Sequence, residues 1–428
     1  MRRAYSLLLY LLVPAVIVYL CWRGWRSPGY WRRWRERFGW VTPLAERPIW
    51  VHAVSVGEVQ AAIPLIRALR TRFPRQKILV TTLTPTGAQR VQASLAQDVI
   101  HCYAPYDLPG VVRRFLARTR PRLALMMETE LWPNIAHYCR RADIPLVLAN
   151  ARMSERSARG YRRVARLTKE TLEQFSAVAA QTTQDAQRLI DLGASAARVH
   201  VTGSIKFDVK LPASLREEAA VLRRLLGVER AVWIAASTRE GEEKYVLDAY
   251  AMVKQALPHA LLVLVPRHPE RFAKVAALCH KHGYTTVLRS ERRPCDARAD
   301  VFIGDSMGEL LLFYAACDVA FVGGSLVPTG GHNLLEPAAL GLAVLSGPFM
   351  YNFAEISRML REAGAAREVR DARELSAAVI EYLGDANLRY AVGERGRRLV
   401  EQNQGALQRL LDSIAPYLTS EARETREA

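Results

Sequence analysis

Residues 319–341 read VAFVGGSLVPTGGHNLLEPAALG. A short apolar run (Val319–Val322) meets two glycine pairs, Gly323-Gly324 and Gly330-Gly331, and then a segment that reads as a helix opening near Asn333. Glycines there let the backbone approach a ligand closely, and a helix N-terminus offers unpaired N–H groups to an anion such as a phosphate. Glu336, four residues into the expected helix, is placed to accept hydrogen bonds from a ribose. Glycine pairs also simply close turns. What narrows the reading is Gly-Gly-His-Asn with Glu-Pro-x-x-x-Gly behind it.

The same alternation extends in both directions. Strands are expected over Ile49–Val54, Ile78–Leu83, Leu123–Met127, Leu146–Ala149 and Val178–Gln181, each followed by a helical pattern. After a turn-rich break at Gly203–Pro212 it restarts with Val232–Ala236, Leu261–Val265, Thr286–Leu288, Val301–Ile303, Val319–Val322 and Ala343–Leu345. Repeated strand–helix units imply parallel sheets covered on both faces, hence an α/β protein of two Rossmann-like domains with a cleft between them. The expected division is 1–22, 23–210 and 211–428, with a helical tail from Asn387 and a solvated end over 420–428.

The chain of 428 residues carries a formal charge of +18, which calls for an acidic partner. Nine Arg and two Glu fall in the first 50 residues, around an uncharged apolar run of 19 residues from Ala4 to Trp22. That run has about the length that crosses a hydrocarbon core, roughly 20 residues. Arg2 and Arg3 precede it, and Arg23, Arg26, Arg32, Arg33, Arg35 and Arg37 follow, interleaved with Trp22, Trp25, Trp31 and Trp34. This is the composition of a headgroup interface, and the positive charge opposes export of the body. It reads as an uncleaved anchor, either spanning or lying in one leaflet, with the body in the cytoplasm. Six scattered cysteines, with no C-x-x-C pair, suggest reduced thiols and no zinc site.

Polar motifs stand at the expected strand ends. Ser55-Val56-Gly57-Glu58 opens a helix, so the dipole and free N–H groups should keep Glu58 ionised and able to take a proton from a hydroxyl; a plain capping Glu fits the same spacing. Met127-Glu128-Thr129-Glu130-Leu131-Trp132-Pro133-Asn134 sets two acids among large apolar residues, where a buried carboxylate needs a partner or a task. Lys206, in Gly203–Asp208 at the expected linker between the two halves, either reaches an anion or lies on the surface. Arg152, Arg156, Arg159, Arg162, Arg163, Arg166 and Lys169 recur at helical spacing, as one broad basic face that is either solvated or turned to an acidic lipid.

These segments carry a family resemblance. The glycine-rich stretch resembles the nucleotide-sugar pocket of two-domain (GT-B) glycosyltransferases. SVGE at 55–58, METELWPN at 127–134, NARMSERSARGY at 150–161, TGSIKFD at 202–208, VPRHPERF at 265–272, GDSMGEL at 304–310 and GGHNLLEPA at 330–338 together resemble the transferases of 3-deoxy-D-manno-octulosonic acid (Kdo). The resemblance runs the length of the chain. It implies an inverting, metal-independent transfer, needing no cofactor, of Kdo from CMP-Kdo to the lipid A precursor of lipopolysaccharide at the inner membrane. It implies Glu58 as general base, Glu128 and Lys206 as stabilisers of the transition state, and CMP contacts from Pro266, Arg267, Met307, Gly308, Glu309, Asn333, Leu334, Leu335 and Glu336.

The chain holds no Asp-x-Asp, the spacing many sugar transferases use to hold a metal on a nucleotide diphosphate. CMP has one phosphate, whose charge helix N–H groups and basic side chains can meet. His52, His101, His137, His268 and His332 stand apart in sequence and read as structural groups or substrate contacts. Two other classes remain. A nucleotide-diphosphate-sugar transferase would share fold, anchor and Glu336 but not SVGE with METELWPN. A nucleic-acid binder would explain the charge, but much of that charge flanks an apolar anchor and the aromatics form no stacking platform.

Overall fold

A computed structural model describes residues 1–26 and 28–419; the end expected to be solvated, 420–428, lies outside them. Two compact units form, residues 1–208 together with the chain from 404, and residues 209–403. Each holds a seven-stranded sheet whose neighbours all pair in parallel.

In the first unit the strands are β1 (Ile49–His52), β2 (Ile78–Thr82), β3 (Ile100–Tyr103), β4 (Leu123–Met127), β5 (Leu146–Ala151), β6 (Ala177–Ala180) and β7 (Val199–Val201), in the order β3-β2-β1-β4-β5-β6-β7. In the second they are β8 (Val232–Thr238), β9 (Leu261–Pro266), β10 (Thr286–Leu288), β11 (Val301–Ile303), β12 (Val319–Val322), β13 (Ala343–Ser346) and β14 (Ala366–Glu368), in the order β10-β11-β9-β8-β12-β13-β14. Both faces of each sheet are covered. Ile49 and Val51 enter one apolar cluster of the first unit, while Trp50 between them enters the other. Strand periodicity thus feeds two cores at once, which is why the strands read as continuous apolar runs.

The reading from sequence missed β3, β7 and β14. All three are edge strands with an exposed or half-covered side, and β7 and β14 include His200 and Arg367. These three bury too little to leave an apolar run, whereas β10, the other edge strand, is buried at Thr286 and Val287 and was read. The expected basic face also differs from what forms. Glu155–Arg162 and Ala165–Leu172 are two helices with a break between them, and Arg162, Arg166 and Lys169 each lie within ion-pair reach of a glutamate.

The chain crosses back at its end. Residues from 404 on were expected with the second half, yet Ala406–Ile414 and Pro416–Thr419 pack in the first unit, where Leu407, Leu410 and Ile414 join the cluster around β1 and the helix Val56–Arg72. Asp208 fixes the return, accepting from the Gly405 and Leu407 N–H groups at 2.6 Å each. An amphipathic pattern states that a helix has an apolar face, not which core receives it. Leu410→Ala should therefore cost the first unit about 2–5 kcal/mol. Amide exchange should quicken over β1 and residues 56–72 and stay unchanged over β8–β14; the reverse pattern would contradict this packing.

Candidate active site

A doubly wound sheet has one place where the strand order reverses, and the loops leaving the two strands there part to leave a crevice at their carboxyl ends. In the first unit this place lies between β1 and β4, in the second between β8 and β12.

Glu58 follows β1. Ser55 caps the helix Val56–Arg72 by accepting from Glu58 N–H at 3.3 Å, and its hydroxyl donates to Glu58 Oε1 at 2.9 Å, while Val54 N–H donates to Oε2 at 2.8 Å. The helix cap forms, but it does not hold the carboxylate ionised as expected. Burial, reinforced by the negative charge of Glu130, pushes Glu58 up to about 7 against the pull of those hydrogen bonds. Desolvation outweighs the helix end.

Glu128 follows β4, and Lys206 sits on the turn Ile205–Phe207. Lys206 Nζ meets Glu128 Oε1 at 2.8 Å, both side chains partly covered. The position of Lys206 is set by Asn150, buried at the end of β5, whose Oδ1 accepts from Ile205 N–H at 3.1 Å. Glu128 and Asn150 have φ of 55° and 54°. Left-handed backbone at a non-glycine residue costs about 1–3 kcal/mol and persists only where the surroundings enforce it. Glu130 accepts from Trp132 Nε1 at 2.5 Å, and Trp132 meets His52 edge-on at 5.3 Å. The structure thus gathers Glu58, Glu128 and Lys206 at one sheet edge and adds Glu130 and Asn150. Both additions lay within motifs singled out from sequence; nothing in the spacing told which members would converge.

In the second unit Arg239 follows β8. Its Nε donates to His332 Nε2 at 3.3 Å, and its Nη1 bonds His268. His268 and His332 therefore share one arginine and do not stand apart. Burial, with Arg239 and Arg267 nearby, pushes His332 down to about 3, so it is neutral. Behind them Glu242 is fully buried and accepts from the N–H groups of Gly324 (2.6 Å), Ser325 (3.0 Å), Leu326 (2.8 Å) and Arg239 (3.2 Å). A carboxylate fully occupied by amides is a strut for the turn after β12. Arg239 and Glu242 were missed; the run Ser237-Thr238-Arg239-Glu240-Gly241-Glu242-Glu243 at a strand end was their available signal.

The expected nucleotide contacts are more varied than a single cradle. Pro266 and Arg267 lie at the end of β9, and Met307 and Gly308 are exposed. The Glu309 carboxylate is engaged by Arg289 at 2.7 and 3.1 Å and by Ser306 at 2.5 Å. Leu334 and Leu335 bury their side chains, leaving only backbone for a ligand. The helix is five residues, Leu335–Ala339, so Glu336 stands in its first turn and not four residues in. Asn333 Oδ1 accepts from Leu335 N–H, and its Nδ2 donates to Glu336 Oε1, each at 3.1 Å; burial raises Glu336. The helix Leu310–Ala315, which follows Glu309, packs on Leu335–Ala339 and brings Tyr314 beside Glu336. Gly330 and Gly331, with φ of 99° and 73°, are required by close neighbours: a Cβ there would lie 2.1 Å from Asn352 Nδ2 and 2.2 Å from Met350 Sδ.

Residues 32–209 match the family described as 3-Deoxy-D-manno-octulosonic-acid transferase (kdotransferase), and residues 234–399 match Glycosyl transferases group 1. The chain is 41% identical over 421 residues to the 3-deoxy-D-manno-octulosonic acid transferase of Haemophilus influenzae, covering 97% of this chain and 99% of that one. It is 38% identical over 436 residues to the enzyme of the same name from Bordetella pertussis, covering 97% and 99%. Among solved structures, the UDP-GlcNAc 2-epimerase of Neisseria meningitidis bound to UDP-GlcNAc superposes with a TM-score of 0.55 at 12% identity, over 87% of this chain and 100% of that one, a likeness of fold alone. The chain belongs to the Kdo transferase family and is a glycosyltransferase of GT-B-like fold.

The raised Glu58 has a kinetic consequence if its carboxylate takes a proton. Below about pH 7 it is itself protonated, so kcat/KM for Kdo transfer should rise with pH through an apparent pKa near that value. Lys206→Met would leave Glu128 uncompensated beside Glu58 and should move that limb to higher pH. A limb that stays in place, or moves to lower pH, would contradict the coupling.

Proposed function

We propose that this protein transfers Kdo from CMP-Kdo to the lipid A precursor in lipopolysaccharide synthesis, by an inverting reaction that needs no metal, at the cytoplasmic side of the inner membrane. The observation that carries the reading is a carboxylate held near neutral pKa, Glu58, beside the Glu128–Lys206 pair. Glu58 removes the proton of an acceptor hydroxyl as that oxygen attacks the anomeric carbon of Kdo, and the bond to the CMP phosphate breaks on the opposite side. A base whose pKa lies close to working pH is both available and strong enough. Lys206, held by Glu128 and by the turn on Asn150, supplies positive charge to a donor that carries a carboxylate and a phosphate.

The nucleotide is assigned to the second unit. Arg239 and Arg267 offer positive charge for one phosphate, and Glu336, steadied by Asn333, accepts from the ribose hydroxyls. Pro266, Met307, Gly308, Glu309, Leu334 and Leu335 complete the wall, chiefly through backbone and shape. The apolar helix Arg2–Arg26, with a mean hydropathy of 2.2 over its most apolar window, fits the membrane anchor that a lipid acceptor calls for.

Glu58→Gln should keep the fold and CMP affinity while transfer falls by about two orders of magnitude or more, the usual worth of a general base. Mass spectrometry of lipid A precursor incubated with CMP-Kdo reads the result; near-normal turnover by a folded variant would remove Glu58 from the role.

Glu336→Ala should weaken CMP by about 1–3 kcal/mol in calorimetry, with acceptor affinity unchanged. Activity should survive excess EDTA. Loss of activity with EDTA and its return with magnesium would overturn the metal-free reaction, and unchanged CMP affinity would misplace the ribose.

A further inference from the structure

The helix Arg2–Arg26 is about 37 Å long at 1.5 Å per residue, enough to cross a bilayer. A spanning helix has its two ends on opposite sides of the hydrocarbon, and lipid or other membrane helices around its waist. This one is tied to the first unit at its start, and the chain that follows it packs on the same unit. At its start Arg2 Nη1 and Ser6 Oγ donate to Asn134 Oδ1 at 2.9 and 3.0 Å, Tyr5 OH donates to Asp107 Oδ2 at 3.1 Å, and Gly110 N–H donates to Tyr10 OH at 3.3 Å. At its finish the chain passes to Trp34–Phe38, where Arg33 reaches His101 of β3 and Phe38 meets Tyr106 edge-on at 5.5 Å.

Coverage along the helix tells the same story. Ser6, Leu9, Val13, Val16, Leu20 and Gly24, spaced by three and four residues, are buried or half-buried. On the opposite face Leu7, Leu11, Val18, Trp22 and Trp25 are exposed, Leu11 at 70% and Trp25 at 82%. The more covered stripe begins at Ser6, on Asn134, and the other is apolar and bare along the whole helix.

We infer that the helix does not span the membrane: it lies along the first unit as a ledge, its bare face sunk into one leaflet, clamped by Arg2, Tyr5 and Ser6 onto Asp107 and Asn134. The inference deepens the membrane part of the proposed function and rests on that reading. Charge identifies the leaflet as anionic. Arg23 and Arg26 with Trp22 and Trp25 mark headgroup level at one end. At the other, Arg2 lies 5.6 Å over Tyr138, which also lines a hollow of about 590 Å³ whose wall holds Arg47, Arg113, Arg120 and Arg141. Asn134, under the clamp, ends the segment that bears Glu128 and Glu130. The leaflet surface therefore meets the strand end that carries the candidate chemistry, and an amphiphilic acceptor reaches it without leaving the membrane.

The test uses the full chain with Cys21→Ser, since the other five cysteines are buried. Arg3→Cys and, on the exposed surface of the body, Arg75→Cys are each added singly. With protein bound to preformed vesicles of phosphatidylethanolamine and phosphatidylglycerol, a membrane-impermeant maleimide outside should label both positions to the same extent. An environment-sensitive dye on Leu11→Cys should report hydrocarbon, and zwitterionic vesicles should bind less protein. Protection of position 3 until detergent is added, with position 75 labelled, would mean that the helix spans and would overturn the inference. So would a Leu11 dye that stays aqueous on bound protein, or one shielded only because two copies pair through this face. These readouts need no activity, so a failure of the Kdo-transfer reading would leave them standing. Tyr5→Phe with Ser6→Ala should lower kcat/KM several-fold for acceptor in vesicles and leave it unchanged for acceptor dispersed in detergent; equal losses in both would sink the clamp.

Discussion

Parallel strands that are apolar on both faces confine all chemistry to their ends. Ile49, Trp50 and Val51 are completely buried, and so are Leu123 to Leu125 beside them. A polar group is placed in such a sheet only with a partner beside it, as Thr81 is with Trp50 and His52. The functional groups are therefore pushed to the carboxyl edge, and the reversal of strand order decides where along that edge there is room. Glu58 and Glu128 leave the two strands at that reversal in the first unit, and Arg239 and the Gly323-Gly324 turn leave the corresponding pair in the second.

Once there, carboxylates of one chemical type meet three fates. Glu242 is saturated by four backbone N–H groups and serves as architecture. Glu128 is neutralised by a lysine at 2.8 Å. Glu58 has hydrogen bonds but no cation, and carries Glu130 as a negative neighbour, so burial dominates and its pKa climbs to about 7. Burial pushes both Glu242 and Glu58 up; at Glu242 four amide donors oppose it, at Glu58 only a serine hydroxyl and one amide.

The amino-terminal helix follows a related logic. Its apolar residues are numerous enough to cross a membrane, but its polar side chains near the start (Arg2, Tyr5, Ser6) are spent on Asp107 and Asn134. Hydrogen bonds to the folded first unit oppose drawing that end through hydrocarbon, where each lost partner would cost several kcal/mol. The same bonds bring the apolar surface up to the segment that bears the candidate carboxylates.

Much of this protein was legible in its sequence. The central strands, the two-unit α/β plan, the strand-end location of Glu58 and Glu128, and the family follow from continuous apolar runs and from long motifs, because buried parallel strands and tight turns tolerate few alternatives. Edge strands β3, β7 and β14 were not legible, since a half-exposed strand has no run to show. The return of residues 404–419 to the first unit, the shared arginine of His268 and His332, and the strut made by Glu242 each join positions distant in sequence or strand ends set side by side, and spacing does not encode such meetings. The protonation of Glu58 was read in the wrong direction for the same reason. A helix start is a local fact that the sequence states outright; the burial around that carboxylate and the approach of Glu130 exist only after the sheet has folded.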